Sequence, residues 1–493
     1  MQLSKSDYML SLRHPAWLWF KKHDPKKLPP VDDATQAIFD TGHEFEQYAE
    51  SLFPGGVTLG FSDFDEYRTL PERTKQALDD GALTIFQGRF EYEGLTFICD
   101  IVQVVEPGVL DLYEIKSSTS TKLDHAYDLT FQVPVLEKLG FSVRNVAVIH
   151  VNNQYVRSGA IEADKITTTT DITEKVRDKA AATEQNIAKA REIMALDSCP
   201  DMSPQLAGLG AFKDWLEIYK AINKQTFGSI YELGGINAKA LDTFESYGIQ
   251  TIEDIPENLP INASIDKQMR AYRNNGPIID TLRLKQFLDS LVFPLYFFDY
   301  ETLARLVPYF DGMKPYAQYP FQYSLHILDD PDGDYRHEEY LHTENSNPAK
   351  SIVEAMKSYI GPTGSVIAWN MGFEKSCNDT LAEFVPESKE FLEDVNKRMV
   401  DLMVPFSSGA YVDFRFKGSA SIKNVLPVLV PELSYKELGI QEGGSAQRLW
   451  MQAVLDGKHI ENKDKILQDL RDYCQLDTFA MLEIYRVLRS EII

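Results

Sequence analysis

The sequence predicts an α/β protein with more than one domain. Its 493 residues exceed what one ordinary hydrophobic core holds, and 44% hydrophobic with 25% charged residues is typical of globular proteins. Strand-like and helix-like patterns alternate in residues 1–164 and again in residues 289–493, whereas residues 165–288 have helical spacing throughout. We therefore expect two α/β domains joined by a helical linker domain.

The composition limits the class of protein and its partners. A net charge of −24 argues against a protein that grips nucleic acid over its whole surface, so a nucleic-acid groove must be a local basic patch or be completed by a protein partner. The four cysteines have neither CxxC nor zinc-finger spacing, and we expect buried thiols. No apolar stretch approaches the roughly 20 residues that span a bilayer, and Met1–Leu12 has no signal-peptide core. We expect a cytoplasmic protein without membrane contact.

Hydrophobic spacing and turn residues place the elements of the first domain. A Glu-Gly turn separates the first two predicted strands, and Pro107-Gly108 precedes the third. The predicted helices are Ser4–Trp19, Ala34–Leu52 and Asp124–Leu139, and the predicted strands are Leu83–Tyr92, Leu95–Val105, Val109–Lys116 and Arg144–Val151.

The linker and the last domain are predicted in the same way. The linker contains a helix over Thr173–Leu196 and two short helical segments around Tyr247-Gly248-Ile249, which either contact backbone phosphates or serve only as structure. The last domain has predicted strands at Leu295–Tyr300, Phe321–Leu328 and Ser365–Trp369, and a long amphipathic helix at Lys463–Arg489.

Two carboxylates end the first strand of the last domain. Asp299 and Glu301 are two residues apart, so both side chains project from the same face of the strand. Adjacent anions are unfavourable unless a cation lies between them, and hard oxygen ligands suit Mg²⁺ or Mn²⁺. This pair therefore predicts a divalent metal site.

Two further motifs of the last domain fit the same chemistry. Glu374 follows Asn370-Met371-Gly372 where a strand passes into a helix, the edge at which sites of open α/β sheets gather. Tyr473 and Asp477 have i, i+4 spacing on the last helix, so the phenol and the carboxylate share one helix face. Asp401 is a weaker candidate, which we expect to be structural.

A second set of acidic residues lies in the first domain. A hairpin brings Asp100 close to Glu114 and puts Lys116 on the same strand face as Glu114. A lysine beside a metal-bound carboxylate pair can stabilise charge on a phosphate. The alternative is a plain β-hairpin with a surface Glu–Lys pair. Additional candidate ligands or substrate contacts are His43, Glu46 and Gln132.

In the last domain, the DxE, Asn-x3-Glu and Tyr-x3-Asp motifs resemble, in order, those of the DEDDy branch of DnaQ-like 3′–5′ exonucleases, which have an RNase H fold. The resemblance implies two-metal hydrolysis, in which Asp299 bridges the ions, Glu301, Glu374 and Asp477 complete their shells, and Tyr473 orients the water. Glu374 stands where that family usually has Asp, and the extra methylene shifts the ligand.

The Gly-His segment, Asp100, the Glu-x-Lys motif and Gln132 resemble, in order, the PD-(D/E)xK core of RecB- and Cas4-type nucleases, a restriction-endonuclease-like fold. Leu136 stands where that family has Tyr. Many relatives hold an iron–sulfur cluster through one N-terminal and three later cysteines. Because His14 stands at the N-terminal position and only Cys199 remains of the later set, we expect no cluster.

The chain as a whole resembles the bacterial DUF2779 family, through the segments Leu3–Tyr8, Phe298–Thr302 and Ser421–Pro427. The leading hypothesis is a nuclease with two Mg²⁺- or Mn²⁺-dependent centres that acts on DNA rather than RNA in repair, recombination or defence. In a second version, only the C-terminal centre cuts and the first domain is a DNA-binding platform. The alternative from another class is a non-catalytic module of degenerate nuclease folds that binds nucleic acid or a partner protein.

Overall fold

The chain folds into two compact units, seen in a computed structural model that describes residues 2–30, 33–225 and 227–492, without the side chains of residues 33–40 and 460. Unit 1 contains Met1–Gln225, Asn237–Thr243 and Leu306–Pro315, and unit 2 contains Thr226–Ile236, Phe244–Arg305 and Tyr316–Ile493. Each unit has a mixed sheet with helices, which confirms the multidomain α/β class. Residues 165–288 contribute to both units, and the expected three-part division stays a prediction.

Unit 1 is built on a six-stranded sheet of order β2-β3-β6-β7-β8-β9 and a three-stranded sheet of order β1-β5-β4. The strands are β1 Leu3–Ser4, β2 Val57–Thr58, β3 Thr84–Phe86, β4 Arg89–Tyr92, β5 Leu95–Ile98, β6 Ile101–Glu106, β7 Val109–Lys116, β8 Ser142–Val151 and β9 Thr167–Asp171. The central β7 runs antiparallel to β6 and parallel to β8. Apolar side chains of this sheet, such as Leu112 and Val146, form the main core with α1 and α5.

The helices of unit 1 flank these sheets. They are α1 Lys5–Arg13, α2 Pro15–His23, α3 Asp33–Ser51, α4 Phe64–Asp79, α5 Leu123–Lys138, α6 Ala163–Ile166, α7 Thr173–Arg177, α8 Ala180–Ala195 and α9 Phe212–Asn223. The helix α10 Ala238–Ser246 runs from the unit 1 segment into the unit 2 segment of the chain. A capping box at Ser4 and Asp7 begins α1.

Several elements of unit 1 differ from the sequence prediction. The two long strands expected over 83–105 are each interrupted, because Gln87 has a left-handed φ of 57° and the chain bends there and opposite at Asp100. The expected helix Ser4–Trp19 is two helices separated at His14, since Pro15 has no amide hydrogen to continue the first. The linker was expected to be helical throughout, yet β9 extends the six-stranded sheet.

Unit 2 contains a five-stranded sheet of order β13-β12-β11-β14-β15 and a two-stranded pair, β10 with β16. The strands are β10 Ile278–Ile279, β11 Leu295–Leu303, β12 Tyr319–Leu328, β13 Tyr335–Leu341, β14 Ser365–Ala368, β15 Met399–Asp401 and β16 Tyr411–Val412. The helices are α11 Ala263–Arg273, α12 Thr281–Asp289, α13 Ala349–Tyr359, α14 Gly372–Phe384, α15 Lys389–Arg398, α16 Val404–Ser407, α17 Ile422–Leu429, α18 Gly443–Trp450 and α19 Lys463–Ser490. The strands predicted for this region and the last helix are confirmed with bounds shifted by a few residues.

Helices cover both faces of the five-stranded sheet. On one face, Phe297 of β11 packs with residues of α17 and α19 such as Leu426 and Ile484. On the other face, Phe298 and Tyr300 pack with residues of α13 and α14. A sheet buried on both faces explains why β11, β12 and β14 appear in the sequence as continuous apolar or aromatic runs. Within the described part of the chain, no helix combines the length and apolarity needed to cross a membrane.

Candidate active site

The central strand of unit 2 carries two carboxylates to one face of the sheet. Successive side chains of a strand point to opposite faces, and Phe297 packs on the α19 side whereas Phe298 packs on the α13 side. Asp299 and Glu301 therefore project toward α19, as their spacing predicts. Glu301 is buried, with 8% of its surface exposed.

The long helix α19 completes the group. One oxygen each from Asp299, Glu301 and Asp477 lies within 4.8 Å of the others, and among the described residues this is the group of three or more ligand-type side chains that could hold one metal ion. Tyr473 lies one turn before Asp477 and is buried beside these acids. A cavity of about 350 Å³ opens at the cluster. Its other lining side chains include Trp369, Phe373, Lys423, Gln447 and Met481.

The negative charges of the carboxylates in this cluster repel one another and raise their pKa values. Burial, and then the charges of Asp477, Glu374 and Glu301, raise the pKa of Asp299 well above its ordinary value. Burial also raises the pKa of Asp477 to about 6, although a hydrogen bond from Tyr435 and the charge of Lys423 act in the opposite direction. Such mutual repulsion favours protonation or the uptake of a cation.

Glu374 lies near the cluster but outside its 4.8 Å group. It is in the first turn of α14, is 2% exposed, and its Oε2 has no hydrogen-bond partner. Burial, together with the charge of Asp401, raises its pKa to about 8. Its charge helps to raise the pKa of Asp299, so the structure brings Glu374 into the electrostatic environment of that carboxylate.

Asp401 has the structural role that we expected. Its Oδ1 accepts hydrogen bonds from the backbone amides of Asn370 and Met403 at 3.0 and 2.9 Å. Asn370 has a left-handed φ of 69°, so this carboxylate stabilises the unusual turn that leads from β14 into α14. Asp401 thereby positions Glu374 indirectly.

Two residues that the sequence analysis did not single out for the site complete the cavity. Tyr435 donates a 2.6 Å hydrogen bond from its hydroxyl to Asp477 Oδ1. Lys423 is exposed at the cavity, where its charge lowers the pKa of both Glu301 and Asp477. Neither residue belongs to a regular spacing with the acids, so no local sequence signal could have identified them.

The donor set of unit 2 fits a divalent cation. Four acidic side chains (Asp299, Glu301, Glu374 and Asp477) gather with no lysine or arginine in ion-pair contact among the described residues, and one buried carboxylate oxygen has no partner. Oxygen ligands of this kind suit Mg²⁺ or Mn²⁺. We call this group the unit 2 centre.

The acids predicted in unit 1 also come together, but with two lysines among them. Asp100 lies at the bend before β6, and its Oδ2 accepts a 2.6 Å hydrogen bond from the amide of Ile115 on β7. Glu114 Oε1 lies 2.9 Å from Lys116 Nζ and 2.8 Å from Lys5 Nζ. Asp128 of α5 contacts the same two lysines. We call this group, with Gln132, the unit 1 centre.

In the unit 1 centre, the lysine ammonium groups and the amide of Gln132 offset the negative charge of the acids. Burial, and then the charge of Glu114, raise the pKa of Asp100 to about 7. Burial would also raise the pKa of Asp128, but Lys5 and Lys116 hold it well below its ordinary value. Gln132 Nε2 donates to both Glu114 and Asp128, while its buried Oε1 has no partner.

Sequence reasoning missed Lys5 and Asp128. Asp128 lies one helical turn before Gln132, so i, i+4 spacing could have identified it. Lys5 reaches the centre from the start of α1, 109 residues before Glu114, and no local pattern indicates this contact.

His43, which we considered as a ligand or substrate contact beside Asp100 and Glu114, lies elsewhere. It lies on α3 with a largely exposed side chain, and its Nδ1 is 3.2 Å from Glu46 Oε2. Asp100, Glu114 and His43 do not form a group of three ligand atoms within 4.8 Å of one another. The structure therefore does not bring His43 into the unit 1 centre as a shared metal ligand.

Leu136, which stands where the PD-(D/E)xK family has Tyr, is a fully buried core residue.

His14, the residue that the PD-(D/E)xK resemblance places at the position of a cluster cysteine, is part of the core of unit 1. His14 is fully buried and stacks on Trp215 with ring centroids 4.1 Å apart. Both ring nitrogens are engaged, since Nδ1 accepts from the amide of Ala16 and Nε2 contacts Ser203 O at 3.0 Å. Burial lowers the pKa of His14 to about 4. This histidine acts as a neutral core residue.

Comparison with known proteins yields relatives without an assigned activity. The chain is 24% identical over 236 residues to the uncharacterized MG366 homolog of Mycoplasma pneumoniae, covering 44% of this chain and 35% of that protein. It is 25% identical over 266 residues to the uncharacterized protein UU173 of Ureaplasma parvum, covering 50% of this chain and 36% of that protein. The chain thus spans about a third of the length of the curated relatives it matches. The family model for the domain of unknown function DUF2779 matches residues 296–421, which confirms that resemblance for the segment from β11 to the start of α17.

Proposed function

We propose that unit 2 is a metal-dependent phosphodiesterase that removes nucleotides from the 3′ end of a nucleic acid. The observation that supports this most directly is the convergence of Asp299, Glu301 and Asp477 within 4.8 Å in an open cavity. The three residues come from two elements that are far apart in sequence, and no basic side chain neutralises them by direct contact in the described structure. A site that only stabilised the fold would not favour uncompensated charge of this kind.

Each residue has a distinct part in this proposal. A divalent ion held by the carboxylates would lower the pKa of a water molecule and neutralise charge on a phosphate. The phenol of Tyr473, buried among the acids, would hold and orient that water. Lys423 is an exposed cation at the cavity and would contact a phosphate oxygen of the substrate.

The cavity also offers apolar surface for a nucleobase. Trp369 and Phe373 line it on the side of α14, and aromatic side chains are common stacking partners of unpaired bases. An acidic chain of net charge −24 can bind nucleic acid only where such local features offset its overall charge. DNA, in repair, recombination or defence against foreign DNA, is the substrate and setting we propose.

A nuclease assay tests the proposal. Purified full chain is incubated with DNA and RNA carrying a 5′ label, single-stranded or duplex, in Mn²⁺, Mg²⁺ or EDTA. We expect a ladder of 3′-shortened products with Mn²⁺ or Mg²⁺, none with EDTA, and loss of the ladder in Asp299→Asn. This variant keeps the shape of the side chain and removes its charge.

A matched control separates loss of the site from loss of the fold. Asp329→Asn alters an aspartate that is exposed and pairs with Arg336 at the end of β12. It should leave the product ladder unchanged. Wild-type protein that cuts no substrate with any metal, yet retains nucleic-acid binding, would favour the alternative that unit 2 is a binding module.

A further inference from the structure

Two lysines occupy the space between the acids of the unit 1 centre. Lys5 Nζ lies 2.8 Å from Glu114 Oε1 and 3.1 Å from Asp128 Oδ1. Lys116 Nζ lies 2.9 Å from Glu114 Oε1 and 2.9 Å from Asp128 Oδ2. Both ammonium groups therefore bridge the same two buried carboxylates.

The remaining carboxylate oxygens of this centre are largely engaged as well. Glu114 Oε2 and Asp128 Oδ1 accept from the amide of Gln132 at 2.9 and 3.1 Å. Asp100 Oδ2 accepts from the Ile115 amide at 2.6 Å. Five of the six carboxylate oxygens thus already have a donor, which leaves Asp100 Oδ1 and the amide oxygen Gln132 Oε1 as the two oxygens of the centre without one. A divalent ion usually requires several oxygen ligands at once.

The two acidic centres of the protein differ in their charge balance. In the unit 1 centre, two of the three carboxylates, Glu114 and Asp128, are in direct contact with both ammonium groups. The charges of the same two lysines also act on the third, Asp100. In the unit 2 centre, four carboxylates face no ammonium group in direct contact within the described residues. The first group is close to neutral without any added ion, whereas the second becomes neutral only by protonation or by the uptake of cations.

We infer that Lys5 takes the place of a divalent cation in the unit 1 centre, which therefore has no resident metal ion, and that metal binding by this protein comes from the unit 2 centre. Lys5 begins α1 and reaches the centre through contacts with β7 and α5, so it also fixes the N-terminal helix to the sheet. A metal ion could enter only by displacing an ammonium group that already has two carboxylate partners. The part of this inference that concerns unit 2 rests on the proposed function, and the part that concerns Lys5 does not.

Counting bound Mn²⁺ on the full chain tests the inference. Equilibrium dialysis against Mn²⁺ is carried out on wild-type protein and on Asp100→Asn, Glu114→Gln and Asp299→Asn. We expect Asp299→Asn to lower the number of bound ions and the two unit 1 variants to leave it unchanged. Asp100 has no ion pair with either lysine, so Asp100→Asn leaves the lysine contacts with Glu114 and Asp128 in place. This variant therefore remains informative if Glu114→Gln folds poorly.

The outcomes distinguish the two parts. A lower Mn²⁺ count in Asp100→Asn would overturn the inference, since a unit 1 ligand would then have been lost. Wild-type protein that binds no Mn²⁺ would refute the proposed function of unit 2 and leave the statement on Lys5 standing.

Replacing Lys5 gives an independent test that does not use activity. Lys5→Met should lower the Tm in EDTA by on the order of 10 °C, because two buried acids lose a cation. We expect Mn²⁺ to restore part of that loss, since the vacated acids then accept an ion. The control is Lys75→Met, which removes an exposed ion pair with Asp79 on one helix. It should change neither the Tm in EDTA nor the response of the Tm to Mn²⁺. A Lys5→Met protein with unchanged Tm would contradict the role of Lys5.

Discussion

Tyr435 should control the metal affinity of the unit 2 centre through Asp477. Its hydroxyl donates to Asp477 Oδ1 at 2.6 Å, and its ring lies 6.1 Å from that of Tyr473. Hydrogen bonds of this kind fix the orientation of a carboxylate ligand. Tyr435→Phe removes one hydroxyl and keeps the ring.

The size of the effect follows from the chemistry of this bond. A hydrogen bond to a charged group contributes about 1.5–3 kcal/mol, and about 1.4 kcal/mol corresponds to a factor of ten in a dissociation constant. We therefore expect the Kd for Mn²⁺ to rise about 10- to 100-fold in Tyr435→Phe, which is the usual effect of losing a partner of a metal ligand. Isothermal titration calorimetry with Mn²⁺ measures the change directly.

Tyr300→Phe provides a matched control. Tyr300 lies on the same strand as Asp299 but on the opposite face, where its hydroxyl donates to Asn378 Oδ1 at 2.8 Å. Its loss should lower the free energy of unfolding by about 1 kcal/mol and leave the Kd for Mn²⁺ unchanged. The reasoning is refuted if Tyr435→Phe binds Mn²⁺ as tightly as wild type, or if both variants weaken binding equally.

Two further predictions concern stability. Burial, together with the charge of His337, lowers the pKa of His326 to about 3, and burial lowers that of His14 to about 4. Below about pH 6.5, both side chains take up protons in the unfolded chain but not in the folded protein. The stability that is present above about pH 6.5 is therefore lost as the pH falls. Near pH 4.5 the loss of unfolding free energy is about 2 to 3 kcal/mol per histidine. Urea unfolding at pH 7 and 4.5 measures this loss, and an unaltered pH dependence in His326→Gln would contradict it. Trp450 is fully buried, stacks on Phe321 at 4.2 Å and donates to His342 O at 2.7 Å, so Trp450→Ala should lower the free energy of unfolding by about 3–5 kcal/mol. Urea unfolding that shows a loss below about 1 kcal/mol would mean that this core can rearrange around the missing indole.

The local part of the unit 2 centre could be predicted because its spacing follows backbone geometry. The period of two along β11 places Asp299 and Glu301 on one face, and the i, i+4 spacing on α19 places Tyr473 and Asp477 on another. Both patterns are independent of how the rest of the chain folds. The aromatic run around Asp299 predicted a buried strand for the same reason, since its side chains fill both faces of the sheet.

Interruptions of regular elements were less predictable. The bend at Gln87 divides one continuous hydrophobic run of the sequence between two sheets. The hydrophobic pattern continues through the bend, so it gives no sign that the strand is interrupted there. The expectation of a helical linker failed at β9, because its threonine-rich sequence becomes a strand through pairing with β8.

By itself, the sequence determined that the chain is an α/β protein and that the carboxylates of β11 and α19 each share a face with a neighbour, because these properties depend on short, regular spacing. Tertiary structure alone decided which distant side chains meet these acids. Tyr435 bonds to Asp477 in unit 2, and Lys5 bridges Glu114 and Asp128 in unit 1. The charge balance of a buried site is a sum over all side chains within a few ångströms, so two acidic motifs that look alike in sequence become one centre without direct counter-charges and one nearly neutralised by lysines.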